Sequence, residues 1–88
     1  MTAPTLDDVR SFIVAGVADG LAAKQLDPGA LPDSFDLLVE GVIDSFGILE
    51  LVVQIEERFG AEIDFSEIDP DELTRIGPLS RYVQARLA

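Results

Sequence analysis

Residues 41–60 read GVIDSFGILELVVQIEERFG, and this stretch decides the fold that the sequence predicts. An α-helix that begins at Asp44-Ser45 and turns about 100° per residue sorts its apolar side chains into two stripes. The stripe expected to face the core consists of Ile48, Leu51, Val52, Ile55 and Phe59. The second stripe lies roughly opposite and consists of Phe46, Leu49 and Val53, with Glu50 and Glu57 beside them. A small protein has little left to cover a second stripe, so we interpret it as a docking surface rather than as part of a fully buried helix.

A first helix is predicted before this stretch. Thr5 and Asp8 have the spacing of a capping box, and apolar residues recur at helical spacing from there to about Lys24, before a predicted stop at Asp27-Pro28-Gly29. Residues 25–44 then form a long connection, which we expect to be ordered and to contain a short helical turn around 35–39. Its expected anchors to the core are Leu26, Leu31, Phe35, Leu37, Leu38, Val42 and Ile43.

Two further helices are predicted after the central one. Asp69 followed by Pro70 indicates the start of a one-turn helix, and Gly77-Pro78 opens the last helix. The connection before them is expected to be held to the core by Ile63, Phe65 and Ile68. The sequence therefore predicts an all-α fold over residues 1–88 as a single domain: a small four-helix bundle of three main helices and one short helix, with a long first loop.

The composition excludes several classes of function. The chain has 17 acidic and 6 basic residues and a net charge of −11, a field that repels nucleic acid and anionic lipid and attracts basic protein surfaces. No apolar run is long enough to span a bilayer and no secretory signal is visible, so a cytoplasmic protein is expected. Cysteine and histidine are both absent. This excludes thiolate metal sites and removes the usual base of a serine nucleophile, so we do not expect an enzyme.

Ser45 stands where the central helix is expected to begin. Free backbone amides and the positive end of the helix dipole surround a hydroxyl at such a position. The plain interpretation is an N-cap serine, which needs no further function. The alternative is an attachment point, because a phosphate ester on this oxygen would lie at a site that favours anions, directly before the exposed stripe. The residues alone leave both interpretations open.

These residues resemble a known family. Residues 41–46, GVIDSF, followed by GILELV at 47–52, are similar to the acyl carrier and peptidyl carrier proteins, whose attachment motif is Asp-Ser-Leu, or Asp-Ser with another apolar residue, at the head of the second helix. The resemblance continues through IEERFG at 55–60 and PDEL at 70–73, and it covers the chain from about Leu31 to its end.

A second Asp-Ser-Phe occurs at 33–35. Proline precedes it at position 32, and no comparable amphipathic helix follows directly. We therefore prefer Ser45 to Ser34 as the attachment residue.

The resemblance implies a phosphopantetheine-dependent carrier. A phosphopantetheinyl transferase would move 4′-phosphopantetheine from coenzyme A to Ser45 Oγ, and the thiol of this arm would hold an acyl or aminoacyl group as a thioester. In the family, the residue that matches Asp44 helps to engage the transferase. The other implied partners are an adenylating acyl or amino-acid ligase and a downstream acyltransferase, synthase or condensing enzyme. The implied partner surface consists of Phe46, Leu49, Glu50, Val53, Glu56 and Glu57.

The chain differs from the fatty-acid carriers of this family in two features. Gly47 stands where fatty-acid carriers usually place an acid, and the stretch between Phe59 and Ile76 is longer than in that branch. These features resemble those of free-standing carriers that work with an adenylating ligase, in a specialised pathway such as antibiotic biosynthesis or in aminoacyl transfer. The richness in Ala, Val, Asp and Arg favours a bacterial source, and we expect a monomer. The alternatives are a fatty-acid synthesis acyl carrier protein and, from another class, an unmodified acidic adaptor. A pocket that shelters the cargo would be lined by Leu51, Ile55, Ile63 and Ile76.

Overall fold

The computed structural model describes residues 3–87, and helices make up its architecture. The elements are α1 (Leu6–Gly16), α2 (Ala18–Ala23), a 3₁₀ helix (Pro28–Ala30), α3 (Ser45–Phe59), α4 (Pro70–Leu73) and α5 (Ile76–Leu87). The described residues contain no strand, only an isolated bridge between Asp36 and Arg75. Helix α1 packs against both α3 and α5. The predicted all-α bundle is confirmed, with α1, α3 and α5 as its main helices. No helix within residues 3–87 is long and apolar enough to cross a membrane.

The start of α1 follows the sequence prediction. Thr5 Oγ1 accepts a hydrogen bond from Asp8 N at 3.1 Å, and the Asp8 carboxylate accepts one from Thr5 N at 2.9 Å. This reciprocal pair is a capping box, which satisfies two backbone amides that the helix itself leaves without partners.

The predicted first helix, however, divides into two. Helix α1 ends at Gly16, and Val17 (φ −115°, ψ 18°) leaves the helical conformation before α2 begins. Glycines at 16 and 20 lower the helix propensity on both sides of Val17, whose side chain is buried in the core. Helix α2 then ends at Ala23, within one residue of the predicted end at about Lys24, and the chain already turns at Gln25 (φ 59°), before the predicted stop at Asp27-Pro28-Gly29.

The core lies where one face of each main helix meets the others. The predicted core stripe of α3 is confirmed, because Ile48, Leu51, Val52 and Ile55 are buried. Phe59 is half-buried at the edge of the core, where its ring meets Phe12 edge to face at 5.4 Å. The remaining buried apolar side chains are Val9, Ile13, Val17, Leu21, Leu31, Leu37, Val42, Ala61, Ile63, Ile68, Ile76, Leu79 and Val83.

The long connection between α2 and α3 is ordered, as predicted. Leu37 is fully buried, and its backbone N–H donates to Thr74 O at 2.8 Å. Ile76 N in turn donates to Phe35 O at 3.1 Å. These bonds join the connection to the start of α5, so the two segments hold each other in place.

Asp36 stabilises the turn that follows. Its Oδ1 accepts hydrogen bonds from Leu38 N at 3.0 Å and Val39 N at 3.1 Å, and its Oδ2 lies 3.8 Å from Arg75 Nε. Burial raises the pKa of this carboxyl, but the hydrogen bonds from Val39, Thr74 and Leu38 and the charge of Arg75 hold the pKa below its usual value. The carboxylate therefore remains ionised and keeps the connection tied to the Thr74-Arg75 segment.

Two local predictions are wrong, and a third is confirmed in part. Glu40 N donates to Asp36 O at 3.0 Å, which closes a single helical turn about one residue later than the 35–39 expected; the turn is not continued, and residues 37–41 form turns. Leu38 and Phe65 were expected to anchor their connections, but their side chains are 39% and 51% exposed. Their neighbours Leu37, Ile63 and Ile68 make the core contacts instead.

Helix α2 comes closest to the long connection at Gly20. A Cβ at this position would overlap the carbonyl oxygen of Val42. Glycine is therefore required for the approach of α2 to the segment that leads into α3.

We expect Gly20→Ala to lower the free energy of unfolding by about 1–3 kcal/mol, because a clash with a backbone oxygen cannot be relieved by a side-chain rotation. Alanine is the better helix former, so the intrinsic propensity acts in the opposite direction. Urea denaturation measures the difference. Gly29→Ala is the control, since its Cβ would lie 3.5 Å from Asp27 Oδ1, an ordinary contact. Wild-type stability of Gly20→Ala would contradict the close approach.

Candidate functional site

Helix α3 begins at Ser45, and the residue that caps it is Asp44. Asp44 has an extended backbone, and its Oδ1 accepts a hydrogen bond from Gly47 N at 2.7 Å. Ser45 is therefore the first helical residue and not the N-cap, which corrects the plain interpretation of its hydroxyl. Aspartate and serine are both good N-cap residues. Asp44 is the N-cap here because its own backbone lies outside the helical conformation. The exposed Ser45 side chain lies outside the capping bond.

A groove of about 620 Å³ opens beside Ser45 and is lined by Leu38, residues 41–45 and Gly47. Gly41 adopts the left-handed conformation (φ 72°) that glycine accepts readily. At Gly47, a Cβ would lie only 3.1 Å from Ile43 Cβ. The absence of a side chain at position 47 therefore leaves this groove open next to the serine.

An exposed apolar surface follows Ser45 along the helix. Phe46, Leu49 and Val53 are 68%, 53% and 51% exposed, and we refer to these three side chains as the α3 strip. Together with Glu50 and Gln54 they line a shallow depression. The predicted exposure of the second stripe is confirmed, whereas its role in docking stays a prediction.

The acidic residues of the predicted partner surface differ in their surroundings. Glu50 and Glu57 are exposed. Glu56 is half-buried, and its Oε2 accepts a hydrogen bond from Ile63 N at 2.9 Å. Its part in partner binding stays a prediction, but the structure gives its carboxylate an internal role in holding the segment after α3.

Ser34, in the second Asp-Ser-Phe, has different surroundings. The carboxylate of the preceding Asp33 lies 2.6 Å from Arg10 Nη1 and 3.5 Å from Arg81 Nη1, so it joins the connection to α1 and α5. No helix begins at Ser34. The structure therefore does not give Ser34 the combination of a capped helix start and an adjacent strip that surrounds Ser45.

The cargo pocket expected from the sequence is not formed by the residues predicted to line it. Leu51, Ile55, Ile63 and Ile76 are each at most 5% exposed and fill the core. The groove at Ser45 instead uses Leu38 and Gly41, which sequence reasoning did not select. Gly41 was the only sign of this groove in the sequence. The contacts that place the loop beside α3 follow no periodic pattern.

Curated proteins similar in sequence to this chain are carrier proteins. No family model and no solved structure matches the chain. The acyl carrier protein of Chlamydia muridarum is 32% identical over 80 residues, which cover 91% of this chain and 92% of that protein. A D-alanyl carrier protein of Bacillus velezensis is 49% identical over 41 residues, and one of Bacillus cereus is 42% identical over 36 residues. These matches cover 47% and 41% of this chain, and 51% and 46%, about half, of the D-alanyl carrier proteins.

The capping geometry makes a prediction about neighbouring residues. We expect Asp44→Ala to lower the free energy of unfolding by about 0.5–2 kcal/mol, because Gly47 N loses its partner. Ser45→Ala should change it by less than about 0.5 kcal/mol, as is usual for an exposed side chain without a structural partner. Chemical denaturation of the two variants in parallel measures both values. A Ser45→Ala variant as unstable as Asp44→Ala would show that the serine is the cap.

Proposed function

The chain belongs to the acyl carrier protein family, and we propose that it carries an acyl or aminoacyl cargo on a 4′-phosphopantetheine arm attached to Ser45. Carrier proteins are not enzymes themselves and interact with transferases and ligases. The observation that carries the proposal is the position of Ser45: an exposed hydroxyl on the first residue of a capped helix, between the groove and the α3 strip.

The surroundings of Ser45 fit such an arm. The hydroxyl is exposed, and the groove next to it is lined by two glycines and short segments of loop backbone, which leave room for a narrow chain. The start of α3 also favours a phosphate, since the positive end of the helix dipole lies there. When bound, the arm supplies a thiol that forms a thioester with the cargo, a group that this cysteine-free chain lacks.

Ser45 takes part in a single covalent step. Its Oγ forms a bond to the phosphorus next to the pantetheine of coenzyme A, the diphosphate P–O bond breaks, and 3′,5′-ADP leaves with the bonding pair. The hydroxyl proton passes to a base of the transferase. Asp44 keeps Ser45 at the helix start through its bond to Gly47 N, and its carboxylate is exposed to the transferase.

The α3 strip and its acidic neighbours suit transient partners. Three apolar side chains supply contact area, while Glu50, Glu57 and the net charge of −11 attract basic surfaces. Encounters of this kind are fast and weaken with salt. A carrier that visits a transferase, an adenylating ligase and a downstream acyltransferase, synthase or condensing enzyme must leave each of them, so steered and weak binding serves it.

We place the carrier in a specialised pathway, such as antibiotic biosynthesis, or in aminoacyl transfer. The similarity to proteins named D-alanyl carrier proteins supports this assignment, as does Gly47 in the position where fatty-acid carriers usually have an acid. The second candidate is a fatty-acid synthesis carrier, which is favoured by the similarity to an acyl carrier protein over 92% of its length. Loading assays with purified adenylating ligases distinguish the two.

Incubation with coenzyme A and a broad-specificity phosphopantetheinyl transferase should add the mass of one phosphopantetheine, which peptide mapping should locate at Ser45. The matched controls are Ser45→Ala, which should gain nothing, and Ser34→Ala, which alters the other Asp-Ser-Phe and should be modified like the wild type. A folded protein that gains no mass would support the unmodified adaptor instead.

A charge on the α3 strip should impair partner binding without unfolding the protein. Val53→Arg places a cation among residues that we assign to docking, so we expect the rate of loading by the ligase to fall while the circular dichroism and the melting temperature stay unchanged. Phe65→Arg is the control, because its side chain is equally exposed at 51% but lies on the connection after α3. Equal loading of both variants would remove the strip from the docking surface.

A further inference from the structure

Lys24 is the only lysine of the chain and directly follows α2. Its Cε and Nζ lie 3.3 Å and 3.4 Å from the point that a Cβ would occupy on Gly41. The lysine side chain thus uses the space that glycine leaves. Gly41 also lines the groove beside Ser45, so the lysine side chain and the groove share this glycine as a neighbour, although Lys24 is not itself among the residues that line the groove.

The other cations of the chain already have internal contacts. Four arginines form ion pairs, with Arg10 and Arg81 on Asp33, Arg75 on Asp36 and Arg86 on Glu67. The guanidinium of Arg58 lies 5.1 Å from the ring centre of Phe59. Lys24, by contrast, forms no ion pair with any residue in the range 3–87. Within residues 3–87, this strongly acidic chain therefore holds one ammonium group without an ion pair, and that group packs against a glycine that lines the groove of the proposed attachment site.

From this placement, and resting on the proposed attachment at Ser45, we infer that Lys24 is a positioning residue that contacts the phosphate joining Ser45 to the pantetheine arm. A phosphodiester carries one negative charge, and lysine binds phosphate as a compact point charge at the end of a flexible stem. The contact draws the first part of the arm over the groove and away from the α3 strip. The strip then remains accessible to partner enzymes while the arm is attached.

The sole lysine makes the contact directly measurable. In protein labelled with ¹³C-lysine, a single Hε–Cε resonance reports on Lys24 before and after modification with coenzyme A and the transferase. We expect this resonance to shift on attachment in the wild type and to stay in place in Ser45→Ala treated identically. The ³¹P resonance of the modified protein should differ between the wild type and Lys24→Gln, and the difference should decrease at high salt.

Arg58→Gln is the matched control, because it removes the same charge about 20 Å along α3 from Ser45, at about 1.5 Å per residue. Its ³¹P resonance should equal that of the wild type.

At low salt, kcat/KM for the transferase should fall about two- to fivefold in Lys24→Gln, the range of an exposed ionic contact. Lys24→Arg should retain most of the rate, and Arg58→Gln should retain all of it.

The two proposals fail in different ways. Attachment at Ser45 with no response of the Lys24 and ³¹P resonances would overturn the phosphate contact and leave the carrier function intact. If the folded protein is not modified at all, the carrier function itself fails, and the inference about Lys24 fails with it.

Discussion

Burial of one face of α3 is the constraint on which the exposure of the α3 strip depends. Ile48, Leu51, Val52 and Ile55 are each at most 5% exposed, and burial of such a side chain contributes about 1.5–3 kcal/mol. Because side-chain directions around a helix are fixed relative to one another, these four determine that the α3 strip faces solvent. A rotation that buried the strip would expose four aliphatic side chains and bring the flanking carboxylates towards the core. Packing of the core alone therefore keeps the α3 strip exposed to solvent.

The core sets the rotation of α3, and other contacts set where the helix begins and what lies beside its start. The Asp44 side chain bonds Gly47 N and makes Ser45 the first helical residue. Helix α2 approaches the preceding segment at Gly20, and Lys24, just beyond α2, lies against Gly41. The site is thus assembled from a helix end, a loop and the end of another helix. This arrangement fits the attachment of a flexible arm, which needs an accessible hydroxyl and a rigid support more than an enclosed pocket.

Periodicity was sufficient to predict α3 and both of its stripes, because solvent and core select side chains along one helix independently of the remaining topology. It did not predict the break at Val17, because the apolar side chains keep their helical spacing across this residue while the backbone leaves the helical conformation. The roles of Asp44 and Ser45 were also undecided in the sequence, where two good capping residues stand side by side. The packing of Lys24 against Gly41 has no sequence signal at all, because the contact joins two segments without a fixed spacing.

Amide NMR spectra of uniformly ¹⁵N-labelled protein, recorded before and after incubation with coenzyme A and a transferase, test most directly whether the fold presents Ser45 for attachment of an arm. We predict that the largest changes fall on residues 41–47, which surround Ser45, while the amides of α5 remain in place. An unchanged spectrum, or changes centred on Ser34, would contradict the account.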